Sequence, residues 1–154
     1  MKHDTLGEIQ RLEGGIFDGV ATVRLGRRDI KIQMSCDDQP FETTLELAAD
    51  VARRLPELDE DAKRVAVADL REVYNNGWNR YDEVQEDGSL EAVSNPPLSE
   101  AEFEARLSLD AVNVTGDSML EFFYDDRGMF WGHAVVVRSS SGVDLREAHA
   151  ELFG

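Results

Sequence analysis

Residues 1–41 alternate apolar and polar side chains with a period of two, the signature of strands that bury one face. Ile30, Ile32 and Met34 share one face and Lys31, Gln33 and Ser35 the other, while Ala21, Val23 and Leu25 alternate with Thr22 and Arg24. Gly26-Arg27-Arg28-Asp29 lies between these runs as a short polar turn whose glycine is free to take positive φ, so a β-hairpin is expected. Leu6 to Leu12 reads as a preceding strand, set off by Gly14-Gly15 and Asp18-Gly19.

From Thr44 the period becomes helical. Leu45, Ala48, Val51, Ala52 and Leu55 recur at three- and four-residue steps, and Pro56 is expected to end the run. Asp59 is the expected N-cap of a second helix with the stripe Ala62, Val65, Ala66, Leu70, Val73 and Tyr74. Asn75-Asn76-Gly77 should close that helix through a left-handed residue, with Trp78 and Tyr81 just beyond. Residues 82–97 are acidic and aperiodic and predict a surface loop. Ser99 with Glu102 then forms a capping box, and Leu98 with Phe103 a hydrophobic staple, which predicts a helix from Glu100 to Leu107.

Leu109 to Val114, Met119 to Tyr124 and Met129 to Arg138 are apolar, aromatic and β-branched runs separated by turn residues, and predict an antiparallel three-stranded meander. The tail, 139–154, should add an edge strand or a turn of helix through Val143, Leu145 and Ala148. The expected architecture is therefore one α+β domain over residues 1–154. Its sheet is mainly antiparallel, with strands in 1–41 and 108–138, and is covered by a helical pair and a short third helix from 42–107.

Charge narrows the choice of partner. The chain has 154 residues, with 16 basic and 32 acidic side chains and a net charge of -16. Nucleic-acid and membrane binders draw affinity from Lys and Arg, so this balance excludes both and favours a basic protein partner. Residues 1–41 carry a net -1, residues 42–104 a net -11 and residues 105–154 a net -4. Solvated helix faces or a salt-adapted host would produce the same concentration of acid in the middle segment. No long apolar run is present, the first residues lack a signal-peptide pattern, and Cys36 has no cysteine partner, so a cytoplasmic location is expected.

Candidate chemistry is sparse. His3, His133 and His149 lack zinc-site spacing, and Asp82, Glu83, Glu86 and Asp87 lack the alternation of a calcium loop, so no metal or other cofactor is expected. His133 follows Gly132 on the last predicted strand and is able to shuttle protons near neutral pH. Asp125 and Asp126 would lie roughly 20 Å from it along such a strand, at about 3.3 Å per residue. The commoner role for such a histidine is structural, hydrogen-bonded within the sheet. The aromatic residues Phe122, Tyr124, Phe130 and Trp131 are likewise expected to be core.

The segment Phe130-Trp131-Gly132-His133, preceded by Phe122-Phe123-Tyr124-Asp125-Asp126, resembles the C-terminal motif of a bacterial family, domain of unknown function 2262. The similarity also covers Pro97-Leu98-Ser99-Glu100-Ala101-Glu102-Phe103 with Arg106, and Trp78. Ala134 stands where serine is more usual, so no mechanism with a nucleophilic serine there applies. The resemblance carries no reaction; related short bacterial domains imply a toxin-immunity setting. Two functions follow as expectations. One is a non-catalytic acidic interaction module, immunity-like, that binds a basic protein. The other is a small enzyme or ligand-binding protein with its site around His133, Trp131 and Tyr124.

Overall fold

The computed structural model describes residues 1–154. In chain order the elements are β1 (Lys2–His3), β2 (Gly7–Arg11), β3 (Gly19–Leu25), β4 (Arg28–Ser35), α1 (Phe41–Arg53) and α2 (Leu55–Val73). They continue with β5 (Arg80–Val84), β6 (Leu90–Ser94), α3 (Glu100–Ala105), β7 (Ser108–Thr115), β8 (Met119–Asp125), β9 (Ala134–Ser139) and β10 (His149–Phe153). The alternating segments at both ends of the chain build one eight-stranded sheet, ordered β1-β2-β3-β4-β7-β8-β9-β10. All neighbours are antiparallel except β4 and β7, which lie parallel. A parallel pair needs a long crossover, and residues 36–107 supply it.

The expected hairpin forms with Leu25 opposite Arg28, and Gly26 turns it at φ 62°. The face of β4 bearing Ile30, Ile32 and Met34 is closed from solvent, as are Val112 and Val114 of β7 and Leu120 and Phe122 of β8. Helix α1 packs this face at β4 and β7, and α2 packs it at β9 and β10. Ala48 and Val51 of α1 and Leu58, Ala62 and Ala66 of α2 complete the core. Each large aliphatic side chain so enclosed stabilises the fold by about 1.5–3 kcal/mol. This is the α+β architecture that the periodicity predicts, with the tail resolving as an edge strand paired to β9.

Four local expectations are corrected. Asp59 is not an N-cap: α2 begins at Leu55, and Pro56 sits in its first turn, where a missing N–H breaks no helical hydrogen bond. The helix does not close on a left-handed residue. It widens into a π-helical turn, Tyr74–Trp78, in which Gly77 is extended at φ 177°. Residues 82–97 are not a loop throughout, because β5 and β6 pair as a hairpin that stands off the body with nearly every residue exposed. Having no buried face, it leaves no periodic signal. Finally, the last strand of the meander starts at Ala134, not Met129, and the intervening residues form a succession of turns. No helix is long and apolar enough to cross a membrane.

Candidate functional site

The turns between β8 and β9 arise from two acids. Asp125 Oδ1 accepts the Arg127 N–H at 3.0 Å, Asp126 Oδ1 accepts that of Gly128 at 3.0 Å, and Asp126 Oδ2 accepts that of Phe130 at 3.0 Å. Such side-chain capture of nearby amides competes with strand pairing and turns the chain. The carbonyls of Asp126, Gly128 and Phe130 accept the N–H groups of Met129, Trp131 and His133 in turn. Phe130 is driven into the core, edge-on to Tyr74, Trp78 and Phe103 at ring-centroid distances of 5.9, 5.4 and 6.3 Å. Asp126 is itself only 4% exposed.

With Asp126 and Phe130 anchored, the residue that follows each of them turns outward. Arg127 and Trp131 both sit at φ 54°, in the left-handed region, with Gly128 at φ 79° and Gly132 at φ 92° after them. A non-glycine residue held there costs about 1–3 kcal/mol and persists only where its surroundings over-determine it. Trp131 is 57% exposed, a second departure from a packed aromatic. Its ring meets that of Trp78 at 4.6 Å, tilted by 55°.

The opposite wall comes from the end of α2. Asn75 reads the Leu98 backbone in both directions, donating from Nδ2 to its carbonyl at 3.0 Å and accepting its N–H on Oδ1 at 2.8 Å. Asn79 and Asn95 close the base of the β5–β6 hairpin: the Asn95 N–H donates to the Asn79 carbonyl at 2.7 Å, and Asn79 Nδ2 to the Asn95 carbonyl at 2.9 Å. Between these supports lies a cleft of about 320 Å³. Tyr74, Trp78, Tyr81 and Trp131 line it with aromatic rings, Arg106 and Arg127 with charge, and Asn95, Gly128 and Met129 complete it.

Its electrostatics run against the rest of the chain. Acids outnumber bases two to one, yet every charged lining residue is an arginine. Neither Arg106 nor Arg127 is within ion-pair distance of a carboxylate. Glu102, one turn before Arg106, has its carboxyl lowered first by hydrogen bonding to Ser99, with Arg106 a lesser and longer-range influence. The Ser99–Glu102 capping box is present as expected and starts α3, whose C-cap is Arg106.

The three residues singled out from sequence are only partly brought together. Trp131 lines the cleft. His133, half-buried in the turn and not on a strand, presents its ring edge-on to Trp78 at 5.6 Å. The spacing of about 20 Å from Asp126 assumed an extended strand, which this folded segment does not form. Tyr124, only 2% exposed, faces α2: its hydroxyl donates to Asp59 Oδ1 at 2.8 Å, and burial together with the Asp59 carboxylate pushes its pKa well above the ordinary value. Phe122, Tyr124 and Phe130 are core as expected, and Trp131 is not. Arg106, Arg127, Tyr81 and Asn95 are cleft residues that the pattern does not single out, although Trp78 and Tyr81 follow the helix end and Arg106 lies in a segment of family resemblance. No cluster of histidine, cysteine or carboxylate side chains is placed to hold a metal ion.

A family model described as an uncharacterized protein conserved in bacteria (DUF2262) matches residues 3–150. No curated protein and no solved structure matches the chain.

Proposed function

The chain belongs to the DUF2262 family of uncharacterized proteins conserved in bacteria, and from that premise we propose that it is a non-catalytic binding module whose reading surface is the aromatic cleft. One observation carries this reading. Arg127 and Trp131 are held in a backbone conformation unfavourable to both, and both are thereby presented to the same cleft. Strain of this kind gathers where a side chain's placement matters more than local stability. The lining supplies aromatic faces, guanidinium donors and an amide, which are groups of recognition, while the nearby histidine ring is packed against Trp78. The site differs from the constellation expected from sequence, since of His133, Trp131 and Tyr124 only Trp131 lines it.

The test exploits the two tryptophans of the chain, Trp78 and Trp131, which both line the cleft. The protein labelled with fluorotryptophan is screened by fluorine NMR against fragments of neutral, cationic and anionic character. Fragments that shift both signals, and lose their effect in Trp131→Ala, support the reading. A library in which no fragment of any charge moves either signal overturns it.

A second reading is favoured by the hairpin. Asp82, Glu83, Glu86, Asp87 and Glu91 stand exposed on β5, β6 and their turn with no cationic partner, beside the exposed cross-strand pair Val84 and Leu90. Clustered like charge steers an oppositely charged protein, so this arm suits a basic partner, including the basic toxin of an immunity-like pair. A partner retained from the native host at low salt, released at high salt, and lost when these five acids are neutralised would support that reading. Retention indifferent to the five substitutions would exclude the hairpin as the contact.

A further inference from the structure

We infer that the cleft takes a small planar ring bearing a single anionic group, a carboxylate or a phosphate; the inference rests on the cleft being a binding site and adds the chemical class of what it binds. The molecule offers its own control. A second arginine-bearing cleft, between the start of α2 and the 143–146 turn, is lined by Arg54, Arg64 and Arg146. There each guanidinium is already matched: Arg64 to Asp61 at 2.9 Å, Arg146 to Asp144 at 2.7 Å and Arg54 to Glu57 at 3.4 Å. That cleft has no unspent charge. In the aromatic cleft Arg106, from the end of α3, and Arg127, from the strained turn, converge from distant parts of the chain without a carboxylate between them.

In a chain of net charge -16, a cavity lined by arginine and by no acid is the reverse of what composition supplies. Guanidinium groups suit carboxylate and phosphate because their planar fork donates two parallel hydrogen bonds. Trp78, Trp131 and Tyr81 line it with aromatic rings, on which a planar ligand stacks. The volume of about 320 Å³ lies at the small end of ligand sites, which suits one ring system with its acid and not a polymer. The global charge points the same way. A nucleic acid would be repelled along its whole length, whereas a single anionic group meets two local cations and a field screened beyond about 8 Å at physiological salt.

The experiment titrates the full chain with AMP, benzoate, adenosine and inorganic phosphate, following the indole N–H signals of Trp78 and Trp131. AMP or benzoate should move both signals and bind at least about tenfold more tightly than adenosine or phosphate alone, since only the anionic rings engage both features. AMP against benzoate separates the phosphate from the carboxylate source. Arg106→Gln and Arg127→Gln should each weaken that binding by about tenfold while the thermal melt stays in place. If adenosine moves the signals as strongly as AMP, or if neither arginine substitution matters, the anionic class is wrong while the cleft remains a binding site. If none of the four probes moves either signal, the inference falls, and the fragments of other chemistry then decide whether the binding reading falls with it.

Discussion

The Asp126 carboxylate, almost fully enclosed, accepts the backbone N–H of Phe130 at 3.0 Å through Oδ2. Together with the capture of the Gly128 N–H by Asp126 Oδ1 and of the Arg127 N–H by Asp125, that contact turns a run of strand-forming residues, seats the Phe130 ring in the core, and leaves Arg127 and Trp131 facing the cleft. Replacing Asp126 by Ala leaves the buried Phe130 N–H without its acceptor and should lower unfolding free energy by about 1–3 kcal/mol. Chemical denaturation measures the loss. Asp126→Asn, which keeps one acceptor oxygen, should fall between the two. An unchanged denaturation midpoint for Asp126→Ala would mean that the turn is held without this carboxylate.

Phe130 and Trp131, adjacent in sequence, should respond in opposite ways. Phe130→Ala empties a fully enclosed site among three aromatic rings and should cost about 3–5 kcal/mol. Trp131 is more than half exposed and strained, so Trp131→Gly gives up its contact with Trp78 but releases roughly 1–2 kcal/mol of left-handed strain. Melting curves should therefore place Trp131→Gly at or above Trp131→Ala, with ligand response lost in both. A Trp131→Gly protein that melts well below Trp131→Ala would show that φ 54° imposes no cost there.

Tyr124 and Asp59 set an alkaline limit on stability. Burial and the neighbouring carboxylate raise the phenol's pKa in the folded state above the unfolded value. The interaction is therefore fully present below about pH 10, where an unfolded tyrosine ionises, and is lost as pH rises through the folded value. Unfolding free energy followed upward from neutral pH should decline above about 10. Tyr124→Phe should cost about 1–2 kcal/mol at neutral pH and flatten that decline. A decline of the same slope in Tyr124→Phe would assign it to other groups.

At the acid end, Asp144 is the group to watch. Hydrogen bonds from the Arg146 side chain and backbone hold its carboxyl down at about 2. A depressed carboxyl contributes stability above its unfolded pKa and loses it as pH falls through the folded value. Because the pair is exposed, its effect on stability is small, and the direct measurement is NMR titration of the Asp144 carboxyl carbon. Its midpoint should rise in Arg146→Gln toward the ordinary aspartate range. If the substitution leaves the midpoint in place, the arginine side chain is not what lowers it.

Periodicity, with turn and cap residues, was enough for the α+β class, though not for the parallel pairing of β4 with β7. Ile30, Ile32 and Met34 alternate because one face of β4 is buried, and Ala62, Ala66 and Leu70 recur because one face of α2 is, so both patterns are written by the same core. The Ser99–Glu102 capping box was also legible, since both of its hydrogen bonds close within four residues. Signals that depend on a distant partner misled local rules. Asp59 has the chemistry of an N-cap, but its carboxylate is engaged by Tyr124, 65 residues away. Phe130-Trp131 has the composition of a strand, but a buried aspartate captures its backbone first. The hairpin of β5 and β6 buries neither face and so writes no pattern at all.

Apart from Trp131, which the sequence singled out, the cleft belongs to this second class. Trp78, Arg106 and the Arg127–Trp131 turn stand in three separate places along the chain, and nothing about the charge total, which is acidic, hints that two arginines free of ion pairs line one cleft. Sequence determined which faces must be buried, because burial is a property of each segment's own periodicity. Only the tertiary structure decided which exposed side chains face one another, because that depends on turns held by contacts between residues far apart in the chain.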